Sequence, residues 1–305
     1  MEMAVKEIKR VTGTALNSII KSWLKGALSG AFCRFAGGSH KTGPRVPVLC
    51  YHRVLPEVGG DGGHDFLSIS SEQFASQMKF LSREGFYTLT LEEYARMARG
   101  LQPLIRRSIL ITFDDGFADN FQIAWPLAQE YNAKLNLFIC TGLVSQSNPV
   151  IMMEDGYLIA DSGPSAASFQ NAKLRELSRP LTWQELGEMR DSGVQMGFHS
   201  HSHRNLARLS ADALAAEVET GLDLFVKKLG YRPRLMALPY GRREHHHPKM
   251  IAFLRSRGLE VIFSVRFGRA KLPTRQPVLP RITIFPQDDL TTFKRKIFGA
   301  YDWLG

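Results

Sequence analysis

From residue 46 onward, short apolar runs alternate with helical patterns that open on capping residues. That alternation constrains the fold more than any other feature of the chain. Strand-length runs occupy 46–51, 86–89, 108–113, 135–139, 194–198, 235–238, 261–265 and 282–284. Ser70-x-x-Gln73, Thr90-x-x-Glu93 and Thr182-x-x-Glu185 read as capping boxes between them. Ser210 opens the longest helical pattern and Gly230 closes it; Gly85, Gly100 and Gly193 stop others, and a last helix spans 290–298. Repeated β–α alternation predicts a parallel sheet with helices outside it, either open or closed into a barrel. With 305 residues there is room for one large α/β domain, and 44% hydrophobic with 22% charged residues excludes disorder and collagen-like repetition. The longest apolar runs fall short of the roughly 20 residues of a membrane-spanning helix.

Two motifs follow strands directly. Ile111-Thr112-Phe113-Asp114-Asp115-Gly116 puts adjacent carboxylates where an apolar strand ends, and Gly197-Phe198-His199-Ser200-His201-Ser202-His203 does the same with imidazoles. In parallel α/β folds the C-terminal strand ends share one face, so the two motifs should meet there. His199 and His203 are four residues apart, which on a helical turn places both rings on one side. Two imidazoles and one carboxylate, with a position open for water, form a catalytic metal set, and the second carboxylate remains to act as a base. Taken singly, Asp-Asp-Gly could be a turn and the histidines a solvated loop; together at strand ends they point to chemistry.

These residues carry a family resemblance. Thr112-Phe113-Asp114-Asp115-Gly116 with a downstream His-Ser-x-x-His resembles the polysaccharide deacetylases of carbohydrate esterase family 4, over roughly residues 46–284. The resemblance implies a distorted (β/α) barrel that binds a divalent metal, zinc first, with cobalt, nickel or manganese as alternatives. It implies removal of an N-acetyl group from an amino sugar in a glycan or glycolipid. Residue by residue it implies Asp114 as the base and Asp115, His199 and His203 as metal ligands.

Two departures matter. The family's Arg-x-Pro-Tyr motif stands here as Ala237-Leu238-Pro239-Tyr240-Gly241. Pro239 and Tyr240 remain to meet the substrate; the arginine that orients the base is gone, and Arg281 is the candidate substitute, grouped with them as substrate-binding. The family's late histidine is also absent. His52, at the end of the first strand, instead resembles the circularly permuted branch typified by biofilm poly-N-acetylglucosamine deacetylases, which implies that His52 is the general acid. His201 is expected to point away from the ligand set, and His245, His246 and His247 either line the mouth of the site or form a solvated loop.

The remaining feature is charge. Lys and Arg number 39 against 29 Asp and Glu, a net +10. Residues 1–45 hold eight basic against two acidic, and residues 242–281 hold ten against two. Residues 1–38 combine this with Ile8, Val11, Ile19, Trp23 and Leu24 at helical spacing, so they read as a basic amphipathic helix. Its apolar stripe suits either its own domain or an anionic membrane surface. Residues 39–45 are a linker, 46–305 the catalytic domain, and 141–180 a long βα-loop insertion. Lys21 and Lys25 interrupt any signal-peptide core. Cys33, Cys50 and Cys140 offer no disulfide framework. Both observations predict a cytoplasmic enzyme, peripheral at the inner membrane face. Nucleic acid has charge in its favour but no motif, and no protein partner is legible. Three rival functions stay open: a metal-dependent glycosyltransferase, which would not use the histidines; a deformylase of a lipid-linked formamido sugar; and a decayed glycan-binding homologue.

Overall fold

Eight parallel strands realise the alternation: β1 (Val48–Tyr51), β2 (Tyr87–Leu89), β3 (Ser108–Phe113), β4 (Asn136–Ile139), β5 (Gln195–Phe198), β6 (Leu235–Ala237), β7 (Val261–Phe267) and β8 (Leu279–Thr283). The computed structural model describes residues 45–56, 67–153, 156–159 and 172–302. The expected N-terminal helix and nearly all of the 39–45 linker lie outside them. Seven strands close a barrel in the order β3-β4-β5-β6-β7-β8-β1, because β1 pairs with both β8 and β3. β2 stands outside the ring, on the N-terminal half of β3.

Helices α1 (Ser71–Arg83), α3 (Trp125–Glu130), α4 (Ala172–Leu177), α5 (Trp183–Asp191), α6 (Ala211–Leu229), α7 (Pro248–Ser256) and α8 (Leu290–Ile297) fill the connections. Capping residues stand where the sequence puts them: Thr90 and Thr182 form complete boxes. Ser70 forms half of one, since the Gln73 side chain bonds the Phe285 and Asp288 carbonyls instead. Gly230 ends α6 at φ +80°. The 141–180 stretch holds an antiparallel hairpin, Val150–Met153 with Gly156–Ile159, followed by α4.

Not every helix lies outside. α2 (Leu91–Ala98) buries Leu91, Tyr94, Ala95 and Ala98 in one cluster with the interior residues Val48, Leu110, Phe138, Leu235, Phe263 and Leu279. It closes the N-terminal mouth of the barrel. Asn136 makes this possible where β2 gives way to β4 beside β3. Its amide donates to the Leu89 and Ile111 carbonyls (3.0 Å each) and accepts from the Leu91 amide (3.0 Å). The period-2 alternation thus faces two cores, an outer one under the helices and this inner one.

The last strand begins three residues earlier than its apolar run suggests, with Pro280 inside it. A proline reads as a strand breaker, and this hid the register that turns Leu279 and Arg281 into the barrel.

Candidate active site

Asp114, Asp115, His199, Tyr240 and His52 all sit just past the C-terminal ends of barrel strands. His199 and His203 converge, but not through a helical turn: residues 199–205 are irregular, with Ser200 at φ +68° and His203 at φ +56°. Asp115 (φ +73°) and Tyr240 (φ +60°) share this left-handed geometry, which costs a non-glycine residue on the order of 1 kcal/mol or more. Hydrogen bonds hold the loop in place. The His203 amide donates to Ser200 Oγ (3.0 Å). The buried carboxylate of Glu217 on α6 accepts from the amides of His201 (2.9 Å) and Ser202 (2.6 Å) and from Ser202 Oγ (2.8 Å).

The imidazoles are oriented from behind. His199 Nδ1 bonds the Ala237 carbonyl at 2.8 Å, and His203 Nδ1 lies 3.2 Å from the Tyr240 hydroxyl. Both Nε2 atoms then face Asp115 Oδ1, each at 3.3 Å. That oxygen is buried and has no hydrogen-bond partner. Burial alone would raise the Asp115 carboxyl, but the two imidazoles hold it well below its ordinary range. Burial would lower His199, yet Asp114 and Asp115 raise it. An orphaned carboxylate oxygen between two back-tethered imidazole nitrogens fits a first-row divalent cation. The thiol of Cys140 also lies within 4.8 Å of the Asp115 and His199 ligand atoms, as a neighbour that sequence reading missed. Burial pushes it up, and it donates to the His199 carbonyl (3.1 Å), so it remains a thiol.

Asp114 is 1% exposed. Arg281, fully buried inside the barrel, meets it with two hydrogen bonds, Nη1 to Oδ1 at 2.7 Å and Nη2 to Oδ2 at 2.6 Å. Burial would raise the Asp114 carboxyl; Arg281 outweighs it and holds the group below its usual value. Cys50 adds an S–H contact to Oδ2 at 3.5 Å. Substrate cannot reach Arg281, so its grouping as substrate-binding is corrected: it contacts Asp114 instead. Pro239 is likewise buried within its turn, and of that pair only Tyr240 is half-exposed. Gly241 follows because a Cβ there would sit 2.8 Å from the Val265 amide nitrogen.

His52 is half-buried, with a ring nitrogen, Cys50 Sγ and an Asp114 oxygen all within 4.8 Å of one another. Burial lowers its pKa despite the facing Asp115 and Asp114. Asn120 fixes its main chain by donating to the His52 carbonyl (3.0 Å). His201 turns to Thr141 Oγ1 (3.0 Å), away from the ligand set. His245 packs its ring on Tyr240 (5.5 Å), while His247 caps α7. Glu217, Cys50 and Cys140 carried no motif signal; only Cys140, directly after a strand, could have been found by the strand-end rule.

A family model described as "Polysaccharide deacetylase" matches residues 102–262. His52 and Arg281 lie outside that span. "Putative polysaccharide deacetylase YxkH" of Bacillus subtilis (strain 168) is 21% identical over 257 residues, 84% of this chain and 76% of that protein. A "Poly-beta-1,6-N-acetyl-D-glucosamine N-deacetylase" of Staphylococcus aureus (strain MRSA252) is 26% identical over 227 residues, 71% of this chain and 68% of the relative. Among solved structures, the Streptococcus pyogenes deacetylase PplD in complex with acetate superposes with a TM-score of 0.66 at 21% identity, covering 84% of this chain and 99% of that one. IcaB from Ammonifex degensii gives 0.61 at 24% identity, covering 82% and 96%.

Proposed function

The chain belongs to the polysaccharide deacetylase family, and on that premise we propose that it hydrolyses the N-acetyl amide of an amino sugar in a glycan or lipid-linked saccharide. One observation carries the proposal: Asp115 Oδ1 meets two imidazole Nε2 atoms at 3.3 Å beside an aspartate clamped by a buried arginine. Asp115, His199 and His203 would hold a divalent cation, which supplies Lewis acidity toward a carbonyl and toward water. The ordered Nδ1 contacts leave each Nε2 free to bind it.

The other residues divide the proton work. Asp114, kept anionic by Arg281, takes a proton from the attacking water as its oxygen bonds to the amide carbon. His52, with a ring nitrogen within 4.8 Å of an Asp114 oxygen, gives a proton to the nitrogen as the C–N bond breaks. Acetate and a free amine result. A lowered pKa makes protonated His52 a stronger donor while reducing its protonated fraction near neutrality. Half-exposure and the 4.8 Å contact with the His203 ring favour Tyr240 as the member of the Pro-Tyr pair that touches the acyl group.

The test joins metal analysis of the purified protein to release of acetate and formate from polymeric and lipid-linked amino sugars. Acetate release that stops on chelation and returns with zinc is expected. Formate alone would reassign the acyl group, and bound metal with no release from any substrate would leave a glycan-binding protein.

A further inference from the structure

Three segments at the active-site end of the barrel carry arginines that the proton chemistry leaves unused. Arg204 directly follows His203, Arg242 and Arg243 follow the Tyr240-Gly241 turn, and Arg266 lies near the end of β7. All four are exposed. No ion pair joins any of them to a carboxylate among the described residues. Across 204–209, 240–248 and 264–267 the only carboxylate is Glu244.

The segments form one surface. The turn Leu206–Arg208 packs on the turn Arg243–His245, and the Val265 amide donates to the Gly241 carbonyl at 3.0 Å. His246 is lowered by burial and by nearby Arg266. Rings run without a break from the site to this surface: His203 to Tyr240 at 4.8 Å, then Tyr240 to His245 at 5.5 Å. The exposed large apolar side chains among the described residues are Tyr87, Leu101, Val226, Tyr231 and Phe298, none on these segments. A surface meant to lie on a bilayer would carry apolar anchors among its cations; this one carries exposed guanidinium groups with no such anchors among the described residues, the chemistry that suits a discrete phosphate.

We propose that this cationic sector binds a phosphate ester on the substrate, attached to or next to the amino sugar whose amide is cleaved. The inference rests on the deacetylase reading of the site and narrows its substrate to phosphorylated amino-sugar saccharides. The phosphate could belong to a soluble or polymeric sugar phosphate or to a lipid-linked saccharide; the recognised chemistry is the same.

The full chain is assayed for acetate release, and separately for calorimetric binding, with a neutral N-acetylglucosamine oligosaccharide and with the same oligosaccharide carrying a 1-phosphate. The phosphorylated form is expected to be favoured about tenfold or more in kcat/KM, chiefly through KM, as charge-assisted hydrogen bonds imply. The preference should shrink as salt rises from about 0.05 M to about 0.5 M. In R243A/R266A the preference should fall toward unity with the thermal midpoint unmoved. A polyprenyl ester of the same phosphate distinguishes the sources: a further gain assigns the lipid-linked form, and equality assigns the phosphate alone.

Equal kcat/KM and equal binding for both oligosaccharides, or a preference that survives the double substitution, overturns the proposal. So does phosphatidylglycerol-vesicle binding that depends on these arginines without any preference for the sugar phosphate. If neither oligosaccharide releases acetate but the phosphorylated one binds in an arginine-dependent way, the deacetylase reading falls and the phosphate site stands.

Discussion

Asp114 and Arg281 are 167 residues apart in sequence and joined by two short hydrogen bonds, both side chains buried. Such a pair is costly to break from one side, because the partner is left as an uncompensated buried charge. Asp114→Asn should lower kcat by roughly 10²–10⁴ with metal content retained, and should also destabilise the fold by up to about 3–5 kcal/mol. Adding Arg281→Met should return much of that stability and none of the rate, which separates the two roles; urea melts and acetate release on the same preparations decide it. Arg281→Lys keeps the charge but loses the fork. Its kcat should fall roughly tenfold or more, with KM and metal content unchanged; an unchanged kcat would show that the two-point clamp is not needed. At this scale the convergence of Asp115 with His199 and His203 was legible because each pair lies in a local strand-end motif. The partner of Asp114, the proposed base, was not. Arg281 takes its place through the register of β8, and the position where the family pattern expects arginine, Ala237, contributes a carbonyl that steers His199.

Among the elements, the loop between β5 and α6 shows how a short sequence is forced into a reactive shape. Ser200 and His203 adopt left-handed backbone, and Glu217 gathers three donors from the intervening residues. Spacing of four suggested a helical turn, whereas the rings meet because two strained residues fold the loop back. Periodicity could not show this, since the anchor is a buried carboxylate one element later. Glu217→Ala should weaken metal binding about 10–100-fold, the usual worth of groups that orient ligands, and reduce stability by roughly 1–3 kcal/mol for the amides left unpaired. Glu217→Gln should recover part of both, because its carbonyl oxygen still accepts. Competition with a metallochromic chelator measures the first effect and chemical denaturation the second. Wild-type metal affinity in Glu217→Ala would mean that the loop holds its shape unaided. α2 makes the complementary point: its capping box and buried stripe were legible, but the same stripe fits the outside of a barrel as well as its mouth.

Across the whole barrel the interior forms one column from floor to site. Tyr94 on α2 meets Phe263 (5.4 Å between ring centroids), Phe263 meets Phe138 (5.7 Å), and the Arg281 guanidinium lies 5.7 Å from the Phe138 centroid, beneath Asp114. The plug that closes one end therefore supports, through packed rings, the arginine that clamps Asp114, the proposed base, at the other. The barrel itself was one of two topologies the alternation allowed, and closure depended on β1 filling the gap between β8 and β3, which no local pattern encodes. Room for the column comes from Gly197, where a Cβ would stand 2.3 Å from a Phe138 ring carbon. Gly197→Ala should thus cost about 1–3 kcal/mol by overpacking, and should depress kcat because the displaced Phe138 packs against Arg281. Phe138→Leu alone should also destabilise, by leaving space. Combined, the smaller ring position accepts the added methyl, so the double variant should be more stable than the sum of the single effects implies, by roughly 0.5–3 kcal/mol. Urea denaturation of the four proteins in the cycle gives that coupling, and kcat measured in parallel shows whether the base recovers with it. Strict additivity in stability would mean that the column is not packed as one unit, and that Arg281 is held by its hydrogen bonds to Asp114, Thr112 and the Ser264 carbonyl alone.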